Sequence, residues 1–500
     1  MGNLSKSKLI AFRQCPKRLW LEVHRRELLE ESTTTQANYR VGNRVGEIAQ
    51  RLYDPAGNGV VIDAQAEGHG PALARSQLVM SSRNPVFEAG FAAEGALAYA
   101  DVMLPAKNKG KLMWHMVEVK SSTSVKDYYR DDVAIQAYVA RSAGVPLVSI
   151  ALAHINNQWI YQGKGDYSGL LKENDLTEEA FSRHEEVKQW VVEAQAVVTK
   201  NKEPSTRTGG HCSDPFECGF LAYCRSKEPQ PKYSVTCLPN VRTNALKAHI
   251  ENNRLTDLRD VPDDLLNDIQ KRVKKHTLSG KVYFDATGAA SDLAPYKLPA
   301  IFLDFETVSP AIPLWKGTRP FQKIPFQFSA HRLSRTGKLT QVSFLDLSGN
   351  DPSRRFAEAL LDACGISGPV YVYNAGFETG RIKALAEQFP KLRKSLLAIN
   401  ERVVDLLKIA GARYYHPSQQ GSWSIKNVLP SIAPDLSYGN LEGVQDGGLA
   451  MEAYEEAIAP STSPERKAEI ERQLLAYCRL DTYAMVRLWA FFTGRPSPLD

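Results

Sequence analysis

The nine residues Pro299 to Thr307, PAIFLDFET, read as a β-strand whose apolar run is interrupted by two acids. Side chains alternate across a strand, so Asp304 and Glu306 project from one face while Leu303 and Phe305 project from the other. Two carboxylates on one face of a hydrophobic strand are oxygen ligands for a hard divalent cation.

Two stretches further along extend the pattern. VYVYNAGFETGRIKAL, residues 370–385, reads as a strand passing into a helix, with Asn374, Phe377 and Glu378 at the junction. LLAYCRLDTYAMVRLWAFF, residues 474–492, is helical, and Tyr477 and Asp481 stand four apart on one face. In chain order the set is Asp304, Glu306, Glu378, Tyr477 and Asp481. It resembles the DEDD exonucleases of DnaQ-like, RNase H-like fold, in the branch with a Tyr-x3-Asp motif. The resemblance implies Mg²⁺ or Mn²⁺ held by the four carboxylates, Tyr477 orienting a water, and 3′ to 5′ release of nucleotides. That family usually has Asp where Glu378 stands, which here lengthens the reach by one methylene.

Asp405, in RVVDLLKIA, suits a helix cap better than a ligand. His416, Ser422, Ser424 and Lys426 form a polar cluster in YYHPSQQGSWSIKNVLP, residues 414–430. They line a substrate groove or, for the two serines, cap a helix.

The N-terminal half carries a second constellation. VGNRVGEIAQRLY, residues 41–53, has one apolar helical face with Glu47 beside it. Strand-like runs follow at 86–91, 96–104 and 112–119, then a helix at 131–143 and a strand at 145–155. Asp101 lies in AYADVML, and Glu118 and Lys120 share one face of MWHMVEVKSS, with Val119 turned to the core. Gln136 and Tyr138 lie on the helix DDVAIQAYVA. The Asp, Glu-x-Lys and Gln series resembles the RecB-like branch of the PD-(D/E)XK (restriction-endonuclease-like) nucleases. This implies a metal held by Asp101, Glu118 and the helical Glu47, with Lys120 and Gln136 assisting catalysis. Glu88, in PVFEAGF, competes for an acidic role.

Seven cysteines are too few and too scattered for a disulfide framework in a chain of 500 residues. Four of them form a pattern: Cys15 in FRQCPKRLW, and Cys212, Cys218 and Cys224 in HCSDPFECGFLAYC. Four thiolates suit a [4Fe-4S] cluster or a structural Zn²⁺, with His211 a substitute ligand for zinc. One early cysteine and a later triplet resemble the iron-sulfur staple of some RecB-like nucleases, and the resemblance favours the cluster. Cys237, Cys364 and Cys478 read as ordinary buried thiols.

The expected organisation is α/β throughout: a PD-(D/E)XK domain with a four-Cys metal staple over 1–228, a helical linker over 229–298, and an RNase H-like (DnaQ-type) exonuclease domain over 299–500. Together with IPFQFSAHR, residues 324–332, this order resembles a largely uncharacterised bacterial family fusing the two nuclease modules. A formal charge of +6 leans toward a polyanionic partner without establishing one. No run approaches the roughly 18 apolar residues of a membrane span, and no signal peptide opens the chain, so a cytoplasmic protein is expected. The expected activity is a metal-dependent dual nuclease acting on DNA in repair, defence or end processing. The alternatives are an exoribonuclease and a nucleic-acid-binding scaffold whose C-terminal site has decayed.

Overall fold

The computed structural model describes residues 2–30, 33–108, 110–242 and 244–498. The chain is mixed α/β and divides into two compact units. The first comprises Met1–Pro229 with Pro310–Phe321, the second Gln230–Ser309 with Gln322–Asp500. Among the described residues, no helix is long and apolar enough to cross a membrane.

The first unit is built on a seven-stranded sheet. Its strands are β1 (Leu4–Ser5), β2 (Val60–Val61), β3 (Val86–Ala93), β4 (Ala96–Asn108), β5 (Lys111–Lys120), β6 (Leu147–Ile155) and β7 (Leu171–Asp175). From β2 to β7 they lie in sequence order, and β1 pairs with the start of β4. Glu94 and Gly95 both take positive φ, 48° and 84°, in the two-residue turn between β3 and β4. This is the geometry of a type I′ hairpin, which glycine accommodates without strain. Helices α1 (Lys6–Gln14), α2 (Pro16–His24) and α3 (Thr33–Tyr53) come from the N-terminal segment. The crossover between parallel β5 and β6 is α4 (Asp127–Ser142). Every α4 residue from Asp132 to Ala140 is buried, so this helix lies within the core rather than on a wet face. Ala311 and Ile312 complete another cluster of this unit with Val45, Ile48, Ile155 and Leu170.

The second unit centres on a five-stranded sheet in the order β11-β10-β9-β12-β13. A two-stranded ribbon pairs β8 (Tyr283–Phe284) with β14 (Tyr414–Tyr415). In the main sheet β9 is Ala300–Val308, β10 Ile324–Leu333, β11 Leu339–Leu345, β12 Val370–Val372 and β13 Val403–Asp405. The outer hairpins are antiparallel, while β9, β12 and β13 run parallel. Alternation along β9 is strict. Ile301, Leu303 and Phe305 enter one apolar cluster, and Phe302 enters another that holds Met485 and Trp489 of the long helix Pro464–Thr493. Asp304 and Glu306 share the face of Phe302, so they point toward that helix.

Residues 229–298, expected as a helical linker, count from Gln230 onward with the second unit. Leu238, Leu246, Leu258, Val261 and Leu266 form their own small core. The helix Asp268–Ser279, α5 here, opens on an Asn267/Gln270 capping box. Its Arg272 donates to the Gly411 and Ala412 carbonyls, and Arg413 forms ion pairs with Asp285 and Asp292. Leucine clusters and directed hydrogen bonds fix this stretch, and its proline punctuation marks turns inside it.

Candidate functional site

The second unit gathers four carboxylates and the phenol of Tyr477 around one recess. Asp304 and Glu306 come from β9. Glu378 sits in the first turn of α6 (Gly376–Gln388), and Tyr477 and Asp481 lie a helical turn apart on α7 (Pro464–Thr493). All five line a recess of about 250 Å³ together with Asn374, Phe377 and Lys426. Asn374 takes φ 77° at the strand-to-helix junction. Its N–H and that of Ala375 donate to the Asp405 carboxylate, at 3.1 and 3.2 Å. Asp405 also accepts from the Leu407 N–H. Asp405 therefore fixes two helix starts, the role the sequence favoured, and thereby sets the position of Glu378.

Crowded carboxylates raise one another's proton affinity. Burial, then Asp481 and Glu306, hold the Asp304 carboxyl well above the usual range. Burial and Asp481 push Glu306 up to about 8, and burial pushes Glu378 up to about 8. Asp481 is raised less, to about 6: burial is offset by a hydrogen bond from Tyr438, the charge of Lys426 and a hydrogen bond from Tyr477. Glu378 is 2% exposed, and its Oε2 has no hydrogen-bond partner. A buried carboxylate oxygen without a donor is costly, by about 1–3 kcal/mol, and a cation would satisfy it. The donor set thus fits a hard divalent ion.

Sequence reasoning missed two neighbours. Tyr438, in the short turn Tyr438–Asn440, donates to Asp481 Oδ1 at 2.5 Å. Cys478 is fully buried, and its Sγ lies with ligand atoms of Asp304 and Glu306, all within 4.8 Å of one another. Cys478 follows Tyr477 and precedes Asp481 by three, a spacing that placed it near the site. Lys426 is the member of the 414–430 polar cluster that lines the recess. It lies over the Tyr438 and Tyr477 rings and donates to the Gln445 carbonyl. His416 instead caps the turn Pro417–Gln419, and Ser424 begins the helix Ile425–Ile432 without a side-chain cap bond.

In the first unit Glu118 is 1% exposed. Its Oε1 receives two ammonium groups, Lys120 Nζ and Lys6 Nζ, both at 2.6 Å. Its Oε2 receives Gln136 Nε2, which also donates to the Tyr99 carbonyl. Lys120 bridges onward to Asp132 at 2.6 Å. Burial alone would raise the Glu118 pKa, but the two lysines hold it low. Asp101 accepts the Val119 N–H at 2.6 Å where the β4–β5 pairing ends at Val102 and Val117. Burial and Glu118 hold its carboxyl well above the usual range, and burial with Glu118 takes Glu88 to about 7.

Glu47 does not join this group. It is exposed on α3, and its ion pair is with Arg51 one turn along. The amphipathic pattern placed it beside the apolar stripe of α3, where side chains reach solvent. Tyr138 points to Glu94 in the hairpin turn rather than to Glu118. Lys6 and Asp132 were missed, the first because it lies 112 residues from its partner.

Cys15, Cys212, Cys218 and Cys224 line one narrow space of about 10 Å³, along with His211 and Arg18. Cys15 begins α2. Gln14 Nε2 donates to the His211 and Phe216 carbonyls, both at 2.7 Å, tying the later cysteine segment to α1. Burial raises the thiols of Cys218 and Cys224, the latter to about 11. Such thiols are poor free thiolates, and as thiolates they would be soft metal ligands.

Residues 301–424 match a family model described as a domain of unknown function (DUF2779). That stretch begins on β9 and contains Asp304, Glu306 and Glu378. Tyr477 and Asp481 lie beyond it, yet line the same recess. No curated protein matches the chain.

Proposed function

We propose that the chain is a metal-dependent nuclease hydrolysing phosphodiester bonds of DNA, with a DnaQ-like exonuclease site in the second unit and a RecB-like PD-(D/E)XK site in the first. One observation carries the reading: Asp304, Glu306, Glu378, Asp481 and Tyr477 line a single open recess, with one carboxylate oxygen left unsatisfied.

Asp304, Glu306, Glu378 and Asp481 would hold the divalent ions. When bound, such ions activate water and stabilise charge on the leaving oxygen. Burial and Asp481 keep the Tyr477 phenol protonated at neutral pH, so it acts as a hydrogen-bond donor, positioning a water or phosphate oxygen. Lys426 supplies a positive charge at the same wall, suited to a phosphate. Half-buried Phe377 offers a ring face at the recess, suited to a terminal base. In the first unit Asp101 and Glu118 are the oxygen ligands. Gln136 orients Glu118, and Lys120 holds its ammonium against the same carboxylate.

The four cysteines would hold a metal group that staples α1 and α2 to the segment 212–224. Four thiolates suit a [4Fe-4S] cluster or a structural zinc, and the resemblance to iron-sulfur RecB-like nucleases favours the cluster.

The test is digestion of end-labelled single- and double-stranded DNA, and of matched RNA, with Mn²⁺ or Mg²⁺. Metal-dependent cleavage of DNA that is lost in an Asp304→Ala, Lys120→Ala double variant is expected. Cleavage that survives in that variant, or none with any substrate, overturns the reading.

A further inference from the structure

Lys6 stands out among groups the proposed chemistry does not use. It brings a second ammonium to a carboxylate oxygen already bonded to Lys120. With Gln136 on the other oxygen, the buried Glu118 has three protein donors, two of them on Oε1. Lys120 has a second anchor in Asp132, whereas the ion pair of Lys6 is with Glu118. Asp132 and Asp101 are the other acids whose charge acts on it.

Lys6 is delivered by built structure. Leu4 and Ser5 pair with Ala96 and Leu97 of β4, Ser5 Oγ accepts the Lys8 N–H as the cap of α1, and Leu9 and Ala11 are buried beneath. Lys6 is the first residue of α1, and Cys15 follows its last. The ammonium is thereby held at one oxygen of a carboxylate that a divalent ion would need.

We propose that Lys6 is a resident cation of the first unit's carboxylate site, occupying on Glu118 the position that a divalent ion must take from it. The inference rests on the metal-binding reading of Asp101 and Glu118. A ligand that binds only the competent fraction of a site loses affinity in proportion to that fraction, so the ammonium weakens the site for the ion. Lys6 thus sets a threshold, keeping the site in a lysine-paired state until the ion concentration exceeds it.

The experiment is Mn²⁺ titration, by calorimetry or electron paramagnetic resonance, of the full chain carrying Asp304→Ala to silence the other site. Mn²⁺ is a hard ion and leaves the cysteine cavity alone. Lys6→Met is expected to tighten Mn²⁺ binding at least about tenfold, Lys6→Arg to leave it near the parent value, and Glu118→Gln to abolish it. Thermal melting confirms that each variant is folded. Unchanged or weaker binding in folded Lys6→Met, or equal tightening in Lys6→Arg, overturns the proposal. If Lys6→Met does not fold, the Lys6→Ala and Lys6→Gln chains are titrated, and the same thresholds decide. Tightened binding without nuclease activity would sink the nuclease reading and keep this one; metal-dependent cleavage with no effect of Lys6 would do the reverse.

Discussion

Tyr438 Oη donates to Asp481 Oδ1 at 2.5 Å, joining a residue of a short surface turn to a carboxylate buried on the long C-terminal helix. The bond favours the ionised carboxylate, and it helps keep Asp481 at about 6 while Glu306 and Glu378 reach about 8. Tyr438→Phe should raise the Asp481 pKa and destabilise the fold by about 1 kcal/mol. Mn²⁺ affinity should fall several-fold at pH 6.5 and recover by pH 8.5. Equal losses at both pH values would show that the phenol does not set the ionisation of Asp481.

Glu306 and Glu378 bind protons more tightly folded than unfolded, where a glutamate titrates near about 4.3. Their contribution to stability is therefore complete below that value and is lost as pH rises through about 8. The slope is at most about 1.4 kcal/mol per pH unit for each group. The melting temperature of metal-free protein should fall between pH 6 and 8.5, and less steeply in Glu378→Gln. Added Mn²⁺ should raise it more at pH 8.5 than at pH 6, as fewer protons must leave. A parallel fall in Glu378→Gln would exclude this carboxylate as a source.

The two carboxylate sites draw their ligands from different units, so they should be silenced one at a time. Asp304→Ala or Asp481→Ala should remove one cleavage pattern by at least about a hundredfold, and Asp101→Ala or Lys120→Ala the other. Tyr477→Phe should slow the first activity while Mn²⁺ binding, read calorimetrically, stays within about twofold. One product pattern that responds to all four substitutions would mean that a single site does the chemistry.

Protein purified without oxygen should contain iron, sulfide and a brown chromophore, and Cys218→Ser should lose them along with part of the first unit's stability. Elemental analysis returning one zinc and no iron would replace the cluster by a mononuclear site. Full metal content and unchanged melting in Cys218→Ser would remove this thiol from the ligand set.

How much of this was legible depended on the range of the contact. Asp304 with Glu306, and Tyr477 with Asp481, are set by strand and helix periods, so spacing alone placed each pair on one face. Gln136 was singled out on its helix, but its bond to Glu118 was not. Tyr438 and Lys6 reach their partners only through tertiary folding, 43 and 112 residues along the chain, and no local period marks them. Cys478 was adjacent to the motif but read as core. Glu47 shows the opposite error: its place beside an apolar stripe left it exposed, paired with Arg51. The stretch after Gln230 looked like linker because prolines and charges outweigh its scattered leucines, which meet only when its turns close.

The residues Pro310–Phe321 count with the first unit, although β9 before them and β10 after them belong to the second. Synthesis runs from the N-terminus, so Ala311 and Ile312 reach Val45, Ile48 and Leu170 only after β9 has left the ribosome. A fragment ending at residue 229 lacks those two side chains and leaves apolar surface uncovered. The two units are therefore not interchangeable cassettes: the first is completed only after the second has begun, and a gene cut after residue 229 leaves the second whole but the first without its last segment.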